Sequence, residues 1–236
     1  AAWDLATGSQ SVVVAVIDSG IQLDHPDLVS NIWTNPGEVA GNGIDDDGNG
    51  YIDDVHGWDF YNDDSDPSDD HGHGTHVAGT IGADANNGIG VSGVAHDVQL
   101  MALKAFNSQG RSYNNSTLRA LEYAMDNGAK ISNHSYGGAG SSVAEESLIE
   151  EAANQGHVLV VAAGNAGSNN DIAGMFPASY PSGNIISVAA LDQTGSMAWF
   201  SNYGSVGVDI AAPGRDILST LPGGTYGHMS GTSMAA

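Results

Sequence analysis

Cysteine is missing altogether from these 236 residues. That excludes a disulfide scaffold, a thiolate zinc site and a cysteine nucleophile. Positive charge is nearly missing: Lys+Arg number 5 against 28 Asp+Glu, a formal net charge of −23. Nucleic acid and anionic membranes repel such a chain, so neither is a main partner. Long apolar runs are missing too, and none reaches the ~18 residues of a membrane span. The opening Ala1-Ala2-Trp3-Asp4 lacks the basic and apolar regions of a signal peptide. Charged residues of both signs make up only 14%, against about 25% in a typical domain. Gly, Ser and Asn must cover much of the surface. What is present is a hydrophobic fraction of 41%. That argues against disorder and, at this length, supports a real core in a single domain spanning residues 1–236.

Apolar runs recur between Gly-rich turns and helical patterns. Val12 to Ile17, Val98 to Leu103, His157 to Ala163 and Ile185 to Ala190 read as buried strands. Near-continuous apolar strands belong to parallel sheets covered on both faces. Leu118, Leu121 and Met125 follow Ser116 at helical spacing, with Asn127-Gly128 as the stop. Ser142 with Glu145 is a capping-box pattern opening a helix that ends at Gln155-Gly156. This alternation predicts an α/β, doubly wound, mainly parallel sheet with helices on both faces. Residues 45–70 depart from the rest, with eleven Asp and neither Lys nor Arg. They predict an insertion loop over about 41–70, functional or disordered.

In an open parallel sheet, chemistry collects beyond the carboxyl ends of the strands. Asp18-Ser19-Gly20 follows the first strand, as a held acid or as a simple turn. His71, His73 and His76 lie within six residues. They read as a metal site or as one working histidine at a helix start. The i, i+2, i+5 spacing does not put three ligands on one helix face, and the small neighbours favour His73 alone, leaving His71 and His76 structural. Asn165, in Gly164-Asn165-Ala166-Gly167, either aims an amide into a cleft or makes a turn. Ser233, in Gly231-Thr232-Ser233-Met234, is a serine on a tight turn, weak by itself. In this order Asp, His, Asn and Ser are what acyl transfer needs. The imidazole takes the serine's proton, the carboxylate fixes the imidazole, and an amide steadies the oxyanion.

These segments resemble the subtilases, the subtilisin-like serine proteases. Matching stretches are Val14 to Gly20, His73 to Thr80, Ser135-Tyr136-Gly137-Gly138, Ala162 to Gly167, Ala211 to Gly214 and Gly231 to Ala235. The resemblance implies that Asp18 orients His73, that His73 is general base then acid, and that Ser233 forms an acyl-enzyme. Asn165 and the Ser233 N–H would hold the oxyanion, with Thr232 in support. Ser135, Tyr136, Gly137 and Gly138 would pair with substrate and wall its first pocket, and Ala162, Ala163 and Gly164 would form the other wall. The loop Phe106 to Tyr113 would line deeper subsites. Met234 matches an oxidation-sensitive methionine. Phe176-Pro177 resembles a cis-proline segment, and Met175 before it would shorten the pocket and favour small substrate side chains.

Asp45-Asp46-Asp47-Gly48-Asn49-Gly50-Tyr51-Ile52-Asp53 places oxygens at alternating positions, like the first half of an EF-hand loop. Asp45, Asp47, Asn49, the Tyr51 carbonyl and Asp53 would wrap one calcium ion; the other reading is a solvated acidic loop. His56 stands at the twelfth position, so this is not an EF-hand; it resembles Asp-rich loops inserted in some subtilases. Resemblance alone implies a second calcium site from Asp27, Asn87 and the carbonyls of Ile89 and Val91, and a weaker cation site at Asp209. It also implies an extracellular, calcium-stabilised endopeptidase, a monomer acting on protein or peptide substrates, with an N-terminal prodomain outside this chain. Relative to the family pattern the chain looks truncated at both ends. An inactive binding module and a calcium-dependent adhesion module are the alternatives.

Overall fold

The computed structural model describes residues 2–236. The chain divides into two compact units. The first runs to Ala129 and takes back Ser219–Tyr226; the second holds Lys130–Leu218 and Gly227–Ala236.

In the first unit, β1 (Gly8–Asp18), β2 (Gly57–Asp59) and β3 (Asp97–Lys104) form parallel pairs in the order β2-β3-β1. The predicted strands Val12 to Ile17 and Val98 to Leu103 lie inside β1 and β3. Ala15, Val16, Ile17, Leu100, Met101 and Leu103 are wholly buried, which is why both read as apolar runs. Asp18 and Asp59 both pair with Lys104, so these polar residues share the carboxyl end of the strands. Helices α1 (His73–Gly82) and α2 (Asn114–Asp126) complete the unit. α2 is the helix that Leu118, Leu121 and Met125 predict.

The second unit stacks β4 (Ile131–His134), β5 (Val158–Ala162), β6 (Ile185–Leu191) and β7 (Ile210–Pro213) in that order, each parallel to the next. Helix α3 spans Val143–Asn154. Its cap is half of the predicted box: Ser142 Oγ accepts from the Glu145 N–H at 3.4 Å. Tyr180 bridges the rest, because its hydroxyl accepts from the Ser142 N–H at 2.7 Å and lies 2.9 Å from the Glu145 carboxylate. β8 (Ile217–Leu221) and β9 (Thr225–Met229) pair as a separate ribbon, and Thr232–Met234 forms a short 3₁₀ turn. The fold class is the predicted one: α/β, doubly wound, with parallel strands and helices between them.

The acidic segment 41–70 is more ordered than its composition predicts. β2 lies inside it, and Trp58, Phe60, Asp54 and Asp59 are buried. Tyr51 packs edge-on against Trp58, Phe60 and Tyr123, and Arg119 of α2 lies over the Tyr51 and Phe60 rings. The buried carboxylates keep partners. Asp54 accepts from Asn35, Asn49 and the Tyr123 hydroxyl. Asp59 accepts from the backbone of Tyr61 and Asn62. An apolar core thus runs through a polar sequence because each buried charge is hydrogen-bonded.

Candidate active site

Asp18 is the last residue of β1 and is 4% exposed. His73 is the first residue of α1. Its Nδ1 lies 2.8 and 2.9 Å from the two Asp18 carboxylate oxygens. A neutral imidazole held this way carries its proton on Nδ1 and leaves the Nε2 lone pair to accept another proton. The approach needs glycine at position 74, where an added Cβ would stand 2.1 Å from the Gly20 carbonyl oxygen and 3.1 Å from the Asp18 Cβ. The helix start is fixed by Asp69, a residue the sequence reading does not single out. Asp69 accepts from the backbone of His71, Gly72 and Thr75 and from the hydroxyls of Ser19 and Thr75. Burial pushes the His73 pKa down, but the charge and hydrogen bond of Asp18, with help from Asp69, raise it above the usual histidine value. His76 is fully buried, whereas His71 is exposed beside Gly110. Among the described residues, the histidines form no metal-ligating group.

Asn165 and Ser233 belong to the second unit. Ser233 sits in the 3₁₀ turn and is 8% exposed. Its Oγ donates to the Ser135 carbonyl at 3.1 Å, and the Ser135 hydroxyl donates to the Ser233 carbonyl at 3.1 Å. Asn165 Oδ1 accepts from the Thr232 N–H at 2.8 Å and its hydroxyl at 3.0 Å. With the oxygen held on that side, the Asn165 amide turns its N–H donors the other way. Thr232 also accepts from the Gly164 N–H at 3.1 Å. The wall residues Ala162 and Ala163 are buried, and Gly164 turns the chain with φ of 109°.

Ser135, Tyr136, Gly137 and Gly138 continue from β4. Gly138 exchanges both backbone hydrogen bonds with Phe176, at 2.9 and 2.8 Å. The Phe176–Pro177 peptide bond is cis. Met175 reaches between the two segments. A Cβ on Gly137 would meet its Sδ at 3.1 Å, and one on Gly164 its Cε at 2.9 Å. The Tyr136 hydroxyl bonds His134 Nδ1 at 2.7 Å. His134 and His157 share the Ser132 hydroxyl, at 2.7 and 2.8 Å. Neither histidine, nor Asn202 beside Gly164, is singled out by the sequence reading. Each lacks a motif.

The acidic residues group differently from the EF-hand-like spacing. Carboxylate oxygens of Glu38, Asp45 and Asp47 lie within 4.8 Å of one another. Asp53 lies outside this group, and its carboxylate instead caps the Asn42 and Gly43 N–H groups. Glu38 Oε1 accepts from the Asp46 and Asp47 N–H groups, while its buried Oε2 has no protein partner. Asn49 donates its amide to Asp47 and Asp54, and its oxygen accepts from the Tyr51 N–H. At the second predicted site, buried Asp27 accepts from Asn87 Nδ2 at 2.6 Å and from the Val91 N–H at 2.9 Å. Asn87 Oδ1 accepts from the Ile89 N–H at 3.1 Å. Asp209 accepts from the Ser187 N–H at 2.8 Å.

Residues 9–236 match the family profile described as the subtilase family. Thermitase of Thermoactinomyces vulgaris is 40% identical over 234 residues, 99% of this chain and 74% of that protein. A thermophilic serine proteinase of Bacillus sp. strain AK1 is 39% identical over 235 residues. This chain spans about half of it, 52% of its length. Among solved structures, a cold adapted subtilisin-like serine proteinase superposes with a TM-score of 0.77 at 31% identity, covering 98% of this chain and 73% of that one. The Asp18–His73 pair at a strand end, the glycine-dependent helix start and the match across residues 9–236 converge: the chain belongs to the subtilase family.

Proposed function

We propose that this chain is the catalytic part of a serine endopeptidase that cleaves peptide bonds through an acyl-enzyme. The observation that carries the reading is His73 Nδ1 held by both oxygens of Asp18. That contact leaves Nε2 as the base. Ser233 Oγ attacks the scissile carbonyl while His73 Nε2 takes its proton. The tetrahedral oxyanion accepts from the Asn165 amide and the Ser233 N–H. His73 then gives the proton to the leaving amine, and water repeats the sequence to free the acid. Asp18 stabilises the imidazolium throughout.

The substrate edge follows from strand alternation. Successive residues of an extended chain point their hydrogen-bonding groups to opposite sides. Gly138 turns its N–H and carbonyl toward Phe176. Ser135 and Gly137, three residues and one residue earlier, therefore turn theirs to the other side. The Ser135 carbonyl already accepts from Ser233 Oγ on that side. Gly137 is the next residue along the same edge, where the backbone of an extended substrate would pair. Met175 fills space between Gly137 and Gly164, which supports a short first pocket and small substrate side chains.

Calcium is assigned to Glu38, Asp45 and Asp47, where the unpartnered buried Glu38 oxygen fits a hard cation. It would neutralise local carboxylate repulsion and hold the loop, with no part in the bond-breaking steps. Asp27 with the loop 87–91 is the second assignment. The proposed enzyme is an extracellular monomer that acts on protein or peptide chains and folds with the help of a prodomain. Calcium is abundant outside cells, and among the described residues no helix is long and apolar enough to cross a membrane. Asn165→Ala tests the oxyanion role: kcat on a peptide amide should fall roughly 10²–10³-fold, a size measured for the equivalent subtilisin residue rather than derived from this structure. A fall of less than about threefold contradicts it.

A further inference from the structure

We propose that Asn202 is the positioning residue for the oxyanion donor, holding both flanks of Asn165 from behind. This rests on the role assigned to Asn165 above. Asn202 is fully buried. Its N–H donates to the Gly164 carbonyl at 2.8 Å. Its side-chain oxygen accepts from the Ala166 N–H at 2.9 Å and the Ser168 N–H at 3.1 Å. Its side-chain nitrogen donates to the Ala163 carbonyl at 3.0 Å and to Asn170 Oδ1 at 3.0 Å. Asn170 donates to the same Ala163 carbonyl at 2.9 Å. One residue thus ties down the chain before Asn165, at Ala163 and Gly164, and after it, at Ala166 and Ser168.

The segment needs such a clamp. Asn165, Ala166 and Gly167 are exposed, and Gly164 and Gly167 take φ of 109° and 62°. Two glycine hinges around a solvated asparagine make a loose mount for a group that must meet a developing charge. Thr232 fixes the Asn165 oxygen, whereas Asn202 fixes its backbone on both sides. Packing is tight: a Cβ on Gly164 would stand 2.4 Å from the Asn202 side-chain nitrogen. The chemistry demands an amide of this length. Aspartate would turn a carboxylate oxygen toward the Ala163 carbonyl, and alanine would take this partner from two backbone N–H groups and a carbonyl. An oxyanion donor works by preorganisation, so a displacement of about 1 Å is enough to lower turnover by up to roughly 10²-fold.

The test is a double-mutant cycle on a peptide amide, with kcat expressed per active site titrated by a serine-directed phosphonate. Asn202→Ala should lower kcat about 10- to 100-fold, with KM changed by less than about threefold. In the Asn165→Ala background the same substitution should lower kcat less than about twofold, because the donor it positions is gone. An equal loss in both backgrounds, or a change confined to KM, overturns the inference. If Asn202→Ala does not fold, Asn170→Ala loosens the same clamp from its far side and must show the same dependence on Asn165. If Asn165→Ala leaves kcat unchanged while Ser233→Ala abolishes it, the oxyanion reading itself fails, and the positioning role fails with it.

Discussion

At the scale of single residues, the charges around His73 set the pH behaviour. Burial opposes the imidazolium, but Asp18 and Asp69 favour it more, so the folded pKa is raised. A raised pKa contributes stability that is fully present below the unfolded value of about 6.5 and is lost as pH rises through the folded value. The proposed mechanism needs the neutral ring, so the acid limb of kcat/KM should lie above that reference. Asp18→Asn should lower kcat roughly 10⁴-fold through the wrong tautomer and shift the remaining limb to lower pH. An unshifted limb would mean another group titrates. His134 behaves in the opposite sense: burial, then the nearby His157, push its pKa down to about 3. The folded state binds fewer protons than the unfolded one, so its contribution is present above about pH 6.5 and fades toward that low value. His134→Gln should flatten the dependence of Tm on pH between about 6.5 and 4. An unchanged slope would assign the acid sensitivity elsewhere.

At the scale of elements, β1 and β3 are legible in the sequence because their side chains are buried on both faces, which leaves an apolar run. β2 is not, since three residues inside an acidic stretch carry no period. Trp58 packs there against Tyr51, which in turn packs against Tyr123 of α2, contacts that no local pattern reveals. β7 escapes a reading by apolar runs because it is only four residues long and closes on Pro213. Asp18, His73, Asn165 and Ser233 are legible as motif residues. Asn202, Asp69 and Glu38 are not, because their roles come from neighbours distant in sequence or from one acid among many. Gly57 illustrates what holds β2. Its φ is 125°, and an added Cβ would stand 1.8 Å from the Ala102 carbonyl oxygen. Gly57→Ala should destabilise by about 3 kcal/mol, lowering Tm by roughly 10 °C at 2–4 °C per kcal/mol. The comparison belongs in a Ser233→Ala background to suppress self-digestion. A loss below about 2 °C would show that the β2–β3 pairing relaxes freely.

At the scale of the whole molecule, the proposed calcium would offset part of a net charge of −23 in a chain with no cysteine. Ligand binding to the folded state stabilises by about 2.7 kcal/mol at a hundred times Kd. Calcium should therefore raise Tm, and excess chelator should lower it and speed self-digestion. Glu38→Gln should reduce that calcium-dependent rise, because Glu38 supplies the unpartnered oxygen of the cluster. Added sodium chloride should recover only the screening part of the effect. A Tm indifferent to calcium, chelator and Glu38→Gln alike would remove the cation from the account.

In the proposed enzyme, Ser233, activated through His73 and Asp18, opens peptide bonds. The most direct measurement is hydrolysis of a peptide amide with a small residue before the scissile bond, by the whole protein in calcium and by its Ser233→Ala counterpart. Turnover by the first is expected, blocked by a serine-directed phosphonate that labels Ser233, with a loss of at least about 10⁴-fold in the second. Equal turnover by both proteins, or none by either when both are folded, would contradict it.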